Sequence, residues 1–274
     1  MKKIRMSNVS LVITLRCSLK CKLCTAFAPY YKNPPHYPLE MLKKSVVKYF
    51  ELVEYVDKFT INGGEAIMHN DLPELIDFLA GYIDHIGMLE FLTNGTLVPS
   101  ERLLKSLSFS PKVNIMVNNY GNNLSGKIQE IKAGFEKYNI AYRLRDQNEE
   151  KNYCGGWVDI SDVSPKSRTE KETEELFSHC VYPNAFRCFA IFGDKAYICG
   201  VYLWCHTNGI VSDNPDEYVD FSDSCTLSPE EQIEKINHFF DKPRSTCSLC
   251  NGFCPESKRY TPAEQLASDE LTHI

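Results

Sequence analysis

No stretch of this 274-residue sequence stays apolar over the roughly 20 residues that a membrane-spanning helix needs. Basic residues are not in excess, and the net charge of −6 argues against a nucleic-acid-binding surface. A signal peptide is also missing, because the apolar run at residues 9–15 contains Ser10 and Thr14, precedes Arg16 and lacks a small-residue cleavage site. These absences predict a cytoplasmic protein with neither membrane nor nucleic-acid partners, and we interpret residues 9–15 as a buried strand.

Cysteine, by contrast, is abundant, with twelve residues in the chain. In a reducing cytosol, clustered cysteines indicate metal binding or catalysis rather than disulfide bonds. One compact group lies near the amino terminus and consists of Cys17, Cys21 and Cys24. A second group is spread over the last hundred residues and comprises Cys180, Cys188, Cys199, Cys205, Cys247, Cys250 and Cys254. The sequence therefore predicts two separate cysteine sites.

Hydrophobic patterns in the first half alternate between strand and helix. The predicted strands are residues 9–15, 59–61, 89–92, 113–117 and 140–144. The predicted helices, with apolar residues at helical spacing, are residues 39–54, 72–86, 101–107 and 124–138. This alternation indicates an α/β fold with a parallel sheet and right-handed crossovers. Periodicity alone leaves an open barrel and a flat sheet as alternatives.

The carboxyl ends of the five predicted strands carry polar, glycine-bearing or cysteine-bearing segments. In chain order they read LRCSLKCKLC, NGGEAI, TNGT, VNNYG and LRD. Parallel sheets and barrels bind their ligands at this edge. We therefore expect a functional site where the five segments meet.

The pattern changes after about residue 160. A charged helix is predicted at residues 170–177, and the strand-like residues 186–192 and 195–198 flank the hairpin turn Gly193-Asp194. Ser228, Pro229 and Glu231 make a capping box for a helix that reaches about residue 240. We predict a first domain at residues 1–160 and a small cysteine-rich domain at residues 161–274, whose last dozen residues we expect to be loosely held.

Cys17, Cys21 and Cys24 follow the first strand with the spacing CxxxCxxC. Three thiolates this close indicate either zinc or an iron–sulfur cluster. Zinc usually takes four ligands, whereas three cysteines with no nearby fourth fit a [4Fe–4S] cluster that leaves one iron open. An open iron is able to bind a small molecule.

Together with Gly63-Gly64-Glu65 and Thr93-Asn94-Gly95, this spacing resembles the radical S-adenosylmethionine (SAM) superfamily. The resemblance implies a partial (β/α) barrel and an open cluster iron that chelates SAM, which is cleaved to a 5′-deoxyadenosyl radical. The SAM-binding residues that the resemblance implies are Gly63, Gly64, Glu65, Asn94 and Asn118. Leu23 and Ala66 depart from the family pattern, which usually has an aromatic residue and a proline at these positions. Taken alone, Gly63-Gly64 equally fits a plain turn.

The second cysteine group resembles the SPASM/twitch auxiliary-cluster domains that follow radical SAM cores. This resemblance implies a second, fully ligated [4Fe–4S] cluster held by Cys180, Cys199, Cys247 and Cys250. A structural zinc site on the same residues is the alternative, and Cys188 or Cys254 could replace one of the four. Cys154, Cys205 and Cys225 have no assigned partner.

The chain further resembles small twitch-type dehydrogenases of sugar- or cyclitol-like alcohols, such as deoxy-scyllo-inosamine dehydrogenase, in size and plan. This implies an enzyme, a radical SAM oxidoreductase that oxidises or epimerises a sugar- or polyol-like small molecule, with a flavodoxin or ferredoxin as electron donor. The chain begins almost at the first strand, so we expect no leader-binding domain of the kind that peptide-modifying relatives often carry.

Two alternatives stay open. One is a peptide-modifying radical SAM enzyme, an epimerase, thioether former or crosslinker, in which Cys188, Cys205 or Cys154 could return a hydrogen atom. The other is a non-catalytic scaffold that binds zinc or a cluster. Arg145, which follows Arg143 on one face of the fifth predicted strand, is a candidate to bind an anionic group or else lies on a solvated edge.

Overall fold

The computed structural model describes residues 3–147, 155–267 and 270, so Cys154 lies outside the described residues. The strands are β1 Ile4–Val12, β2 Val53–Asn62, β3 Ile86–Thr93, β4 Val113–Asn119, β5 Ala141–Asp146, β6 Cys188–Phe192, β7 Lys195–Tyr197 and β8 Val219–Asp220. The α-helices are α1 Leu39–Leu52, α2 Leu72–Leu79, α3 Glu101–Leu107, α4 Ile128–Lys137, α5 Glu170–His179, α6 Gly200–Thr207 and α7 Pro229–Asn237. No helix within these described ranges is long and apolar enough to cross a membrane.

One sheet runs through both halves of the chain, with the strand order β5-β4-β3-β2-β1-β6-β7-β8. All pairs among strands β1 to β6 are parallel, which confirms the predicted parallel sheet. Strands β7 and β8 are antiparallel, and β6 and β7 form the predicted hairpin at Gly193-Asp194. Because β6 pairs with β1, the second half begins inside the same sheet; the division at residue 160 stays a prediction.

The two faces of the sheet have different partners because side chains alternate along a strand. Val9 and Leu11 of β1 and Phe59 and Ile61 of β2 are fully buried in the main apolar core. Helix α1 packs there through residues such as Tyr49, whose ring lies 6.1 Å from that of Phe59. Each such buried side chain contributes about 1.5–3 kcal/mol. The opposite face is thus left to line a cavity.

Several elements differ in length from the sequence prediction. Strand β2 starts at Val53, directly after α1, and not at residue 59. Charged residues interrupt its first half, so its alternation of buried and exposed positions is not a continuous apolar run. Helix α2 ends at Leu79 and continues as a 3₁₀ helix, Ala80–His85, in which Gly81 weakens the α-helical preference. Helix α7 has the predicted capping box, with Glu231 N donating to Ser228 Oγ at 3.2 Å.

The carboxyl-terminal segment was expected to be loosely held, and for residues 263–267 this expectation is wrong. Lys22 N donates to Glu264 O at 2.7 Å, and Leu266 N donates to Lys20 O at 2.8 Å. Tyr260 exchanges two backbone hydrogen bonds with Trp157, of 3.0 and 2.8 Å. Residues 260–267, which we call the C-terminal strap, therefore pair with Trp157 through Tyr260 and with the first cysteine loop through Glu264 and Leu266. The sequence did not indicate this pairing because isolated β-bridges form without a run of strand-like residues.

Candidate functional site

A cavity of about 810 Å³ lies against the inner face of the sheet. Cys17, Cys21 and Cys24 line one part of it, and Cys199 lines another. The ends of strands β2 to β4 contribute Gly63, Gly64, Asn94 and Asn118, and Arg145 of β5 also lines the cavity. The structure thus brings most residues of the predicted first site to one space, at the predicted edge of the sheet.

Gly63 and Gly64 hold the cysteine loop by close backbone contact. Gly64 N donates to Thr14 O at 2.8 Å, and Glu65 N donates to Arg16 O at 2.9 Å. A Cβ atom on Gly63 would lie 2.3 Å from Thr14 O, and one on Gly64 would lie 2.5 Å from Arg16 O. Any larger residue would therefore push the chain before Cys17 away from β2. This contact explains both glycines whether or not their backbone also touches a ligand.

The three cysteines of the first site lie in a shared, mostly apolar environment with Leu19 and Ala263. Burial raises the pKa of the Cys17 thiol to about 11 and that of Cys21 to about 12, and it also raises the pKa of Cys24. Thiols in such a setting become thiolates when a metal cation compensates the charge. The donor set therefore fits a metal cluster.

Neutral donors already point at two of these sulfurs. Leu19 N lies 3.4 Å and Asn94 Nδ2 lies 3.6 Å from Cys17 Sγ. Gln265 Nε2 lies 3.3 Å from Cys21 Sγ. Donors of this kind stabilise the negative charge of cluster ligands.

Glu65 is only 1% exposed and does not line the cavity. Its carboxylate accepts hydrogen bonds from Asn94 N at 2.7 Å, Thr93 Oγ1 at 3.1 Å and Ile67 N at 3.2 Å. Burial is the main cause that raises the pKa of Glu65 to about 7. The structure therefore gives Glu65 a positioning role that ties the end of β2 to the end of β3; its contact with SAM stays a prediction.

Asn94 and Asn118 are tied to their surroundings on the side away from the cavity. Asn94 Oδ1 accepts from Thr96 N at 3.0 Å, and Asn118 Oδ1 accepts from Gln147 Nε2 at 2.8 Å. Arg145 lies beside Asn118 in the register of β4 and β5. These contacts fix the orientation of both amides at the cavity wall.

The second site is a small cavity of about 40 Å³. The four cysteines assigned to it in the sequence all line this cavity: Cys180, Cys199, Cys247 and Cys250. Burial raises the pKa of every one of these thiols, to about 11 for Cys199 and about 12 for Cys247. The remaining walls are mainly apolar and include Leu176, Phe177 and Phe253.

Arg244 also lines the second site, although its guanidinium is buried with 6% exposure. One of its Nη atoms donates to Phe239 O, but among the described residues its Nε has no hydrogen-bond partner. A buried cation with an unused donor fits a space that holds an anionic group. An iron–sulfur cluster with four thiolate ligands is such a group.

The alternative cysteines lie elsewhere. Cys254 is 1% exposed, does not line the second site and has its thiol 3.7 Å from Leu176 O. Cys188 lines the large cavity, with its Sγ 3.6 Å from Ser10 Oγ. Cys205, on α6, is fully buried in an apolar cluster and lines neither cavity, which indicates a packing role. Cys225 accepts from Gln232 Nε2 at 3.4 Å, away from both cavities.

The spacing of these thiols bears on the choice between zinc and a cluster. A single tetrahedral zinc holds its sulfurs about 3.8 Å apart, as its Zn–S bonds of about 2.3 Å require. Within the described part of the chain, no three His, Cys, Asp or Glu side chains are close enough to hold one metal ion. A [4Fe–4S] cluster spaces its thiolates more widely because each binds a different iron. Within the described ranges, neither cysteine set is therefore a ready-made site for a single zinc ion.

The two sites adjoin at one backbone contact. A Cβ on Gly200, which follows Cys199, would lie 2.6 Å from the carbonyl oxygen of Thr25, which follows Cys24. Behind this joint, Phe27 stacks on Trp204 of α6 with ring centroids 5.3 Å apart. The start of α6 is thereby fixed against the first cysteine loop.

One part of the large cavity, which we call the polar floor, is lined by polar side chains of the sheet and was not identified from the sequence. It consists of Asn8, Ser10, Lys58, Thr60 and Glu90, all on the inner face of β1 to β3. Glu90 Oε2 lies 3.7 Å from Lys58 Nζ and accepts from Thr60 Oγ1 at 3.3 Å.

Arg143 of β5 also pairs with Glu90, at the open edge of the sheet. The signal in the sequence that could have revealed the polar floor was the presence of charged residues at alternate positions of strands whose other residues are buried.

No protein-family model matches the sequence, but solved structures match the fold. The structure of anSMEcpe with bound AdoMet (S-adenosylmethionine) is similar over 98% of this chain and 96% of that chain, at 14% sequence identity and a TM-score of 0.55. BtrN in complex with AdoMet and 2-DOIA is similar over 97% of this chain and 99% of that chain, at 14% identity and a TM-score of 0.51. SuiB of Streptococcus suis, bound to precursor peptide SuiA, covers 56% of this chain and 35% of that chain, at 15% identity and a TM-score of 0.43.

These three proteins are radical SAM enzymes. The similarity to anSMEcpe and BtrN, which extends over nearly the whole of each chain, shows that this chain has their fold. The predicted α/β architecture of radical SAM type is thereby confirmed.

Proposed function

We propose that this chain, which has the fold of radical SAM enzymes, is itself a radical SAM oxidoreductase. The observation that carries the proposal is the first cysteine site, where three neighbouring thiols line a large cavity beside Gly63, Gly64 and Asn94. Three thiolates leave one iron of a [4Fe–4S] cluster free for a ligand. When bound, such a cluster supplies the electron that cleaves SAM to methionine and a 5′-deoxyadenosyl radical.

The chain's own residues would bind and orient SAM. Gly63 and Gly64 line the cavity, and Asn94 and Asn118 offer oriented amides at the ends of the next two strands. Glu65 would hold together the segments that follow β2 and β3. Its buried carboxylate would favour the ammonium group of a SAM molecule bound nearby. Arg145 is the candidate to bind a carboxylate, of SAM or of the substrate.

We further propose that residues 161–274 form a twitch-like domain with a second cluster on Cys180, Cys199, Cys247 and Cys250. The shared small cavity and the buried cation of Arg244 support this assignment. Four thiolate ligands would leave no iron open, so this cluster would supply electron transfer and not substrate binding. Its position next to the first site, at the Gly200–Thr25 contact, suits that role.

As substrate we propose a hydroxyl-rich small molecule, such as a sugar or polyol. The polar floor supports this choice because its amide, hydroxyl and charged groups would pair with hydroxyl groups. Oxidation of a carbinol to a carbonyl removes one hydrogen atom, one electron and one proton. The hydrogen atom would go to the 5′-deoxyadenosyl radical, while the electron would need an acceptor such as the proposed second cluster. BtrN, a dehydrogenase with the same fold, gives a precedent for the reaction class.

The second candidate is a peptide-modifying enzyme. It is favoured by Cys188, which lines the cavity and could return a hydrogen atom to a substrate radical. Another solved structure with this fold is anSMEcpe with bound AdoMet and the Cp18Cys peptide, with a TM-score of 0.52. A flavodoxin or ferredoxin is our proposal for the electron donor in either case.

The first experiment requires no substrate. Protein reconstituted with iron and sulfide under anaerobic conditions is reduced with dithionite, given SAM, and assayed for 5′-deoxyadenosine by liquid chromatography. We expect release of 5′-deoxyadenosine from the parent and from Cys225→Ala, whose thiol lies outside both cavities. Cys17→Ala should give none. A parent that retains its iron and releases no 5′-deoxyadenosine would contradict the proposal.

The reaction class is then separated with deuterated buffer and a panel of polyols and aminocyclitols. A carbonyl product that contains no solvent deuterium supports dehydrogenation. Solvent deuterium in a product of inverted configuration supports epimerisation, and in that case Cys188→Ala should stop turnover while leaving 5′-deoxyadenosine formation intact.

A further inference from the structure

The C-terminal strap meets the first cysteine site in a specific way. Backbone hydrogen bonds from Lys22 N to Glu264 O, at 2.7 Å, and from Leu266 N to Lys20 O, at 2.8 Å, frame Gln265 opposite Cys21. Ala263 is 1% exposed and packs with Leu19 and Cys21 although its φ of 56° is unfavourable for a residue with a side chain. Such a conformation persists only where the surrounding contacts hold it.

The amide of Gln265 is fixed in orientation by three partners. Its Oε1 accepts from Lys20 N at 2.7 Å. Its Nε2 donates to Ala263 O at 2.7 Å and to Cys21 Sγ at 3.3 Å. Because the oxygen is held by Lys20, the amino group must face the sulfur.

We infer that Gln265 is a positioning residue of the first cysteine site, where it donates a hydrogen bond to a cluster-ligating Cys21 thiolate while the strap shields that ligand. The inference rests on the proposed cluster. A donor to sulfur stabilises the ligand's negative charge, and the stabilisation grows when the cluster accepts an electron. Gln265 thus favours the reduced state from which SAM is cleaved. Asn94 does the same for Cys17 from the opposite side, at 3.6 Å.

The chain provides a matched control for this role. Gln232 Nε2 also donates to a cysteine, Cys225, at 3.4 Å, but that thiol lines neither cavity. Gln265→Glu keeps an oxygen for Lys20 N and removes both N–H donors, while the backbone bonds of the strap remain. Gln232→Glu makes the same change in the same kind of contact, remote from either site.

Redox titration of the reconstituted protein, followed by electron paramagnetic resonance, tests the role. We expect Gln265→Glu to raise the oxidised-to-reduced ratio of the first cluster about tenfold at a fixed potential. This change corresponds to a midpoint potential about 59 mV more negative for a one-electron couple. Gln232→Glu should leave the ratio unchanged. A ratio unaltered in Gln265→Glu at full iron content would overturn the inference, as would an equal shift in Gln232→Glu.

A second measurement needs neither cluster nor SAM, so its outcome is independent of the proposed function. Leu266→Pro removes the N–H that Lys20 O accepts and should loosen the strap. In the full-length, metal-free chain we expect iodoacetamide to label Cys21 several-fold faster than in the parent, as followed by mass spectrometry. Cys225 should react at the parental rate. Unchanged labelling of Cys21 would show that the strap does not shield it.

Discussion

The two cysteine sites are built from the same thiol chemistry but in opposite surroundings. The first opens on a cavity of about 810 Å³ and receives neutral donors from Asn94 and Gln265. The second is a cavity of about 40 Å³ and has a buried guanidinium, that of Arg244. Three thiolates would leave one iron of a [4Fe–4S] cluster free for a ligand, whereas four thiolates would leave none.

Their buried ionisable groups differ as well. The carboxyl group of Glu65, whose pKa burial raises to about 7, lies behind the first site and connects the loops that line it. A cation, Arg244, lies beside the second. A carboxylate suits a site that receives the ammonium group of a ligand, and a guanidinium suits a site that holds only a negatively charged cluster. This contrast supports the proposed division, in which the first site would bind SAM and the second would take part in electron transfer.

The largest effect is expected from deleting one ligand in each site. Cys17→Ala should abolish 5′-deoxyadenosine formation, because the open cluster is lost. Cys247→Ala should retain 5′-deoxyadenosine formation but give no oxidised product, because only the second cluster is lost. Chromatography of both products from anaerobic assays measures the difference. If Cys247→Ala also stops SAM cleavage while keeping half of the parental iron, the two sites do not have separate roles.

A smaller effect concerns the charge at Glu65. Its pKa of about 7 lies above the ordinary value of 4.5, so the folded chain binds this proton more tightly than the unfolded chain does. The stabilisation is therefore present at low pH and is lost as pH rises from about 4.5 through 7, by up to about 3 kcal/mol. Denaturant titrations of metal-free protein at pH 5 and pH 8 should show this loss in the parent and a smaller one in Glu65→Gln. An identical loss in both proteins would refute the buried, protonated carboxyl.

The smallest effect tests the joint between the sites. Gly200→Ala places a Cβ 2.6 Å from Thr25 O, and we expect a loss of about 1–3 kcal/mol in the free energy of unfolding. Gly81→Ala is the control, because a Cβ there meets no atom within 4 Å. Urea titration measures both variants. Equal stability of the two would mean that the start of α6 is not tightly held against the cysteine loop.

Much of the fold follows from local patterns in the sequence. Glu101–Leu107 matches the predicted helix, and Ser228 caps α7 as expected because its signal lies within four residues. The pairing of β6 with β1 was not predictable in the same way, since residues 8–12 and 188–192 are far apart in the chain. Strand β2 was underestimated because Lys58 and other charged residues interrupt its apolar pattern.

The residues of the candidate site likewise divide into those that local sequence patterns predict and those that depend on long-range contacts. Cysteine spacing predicted the four residues that line the second cavity, but it left Cys188 and Cys254 open as replacements for one of them. The partners of these thiols were missed: Gln265 lies more than 240 residues from Cys21, and Arg244 has no spacing rule that connects it to a cluster. Long-range contacts of single polar side chains have no periodic signature, so only the folded chain reveals them.

The contrast between a first cluster with one open iron and a second, fully ligated cluster is tested most directly by adding SAM to the reduced, reconstituted protein. The readout is electron paramagnetic resonance. Two cluster signals should be present, of which SAM alters one, and the altered signal should be missing in a Cys17/Cys21/Cys24→Ala variant that keeps about half of the iron. If SAM alters neither signal, or alters one that persists in this variant, the first cysteine site is not where the cofactor binds.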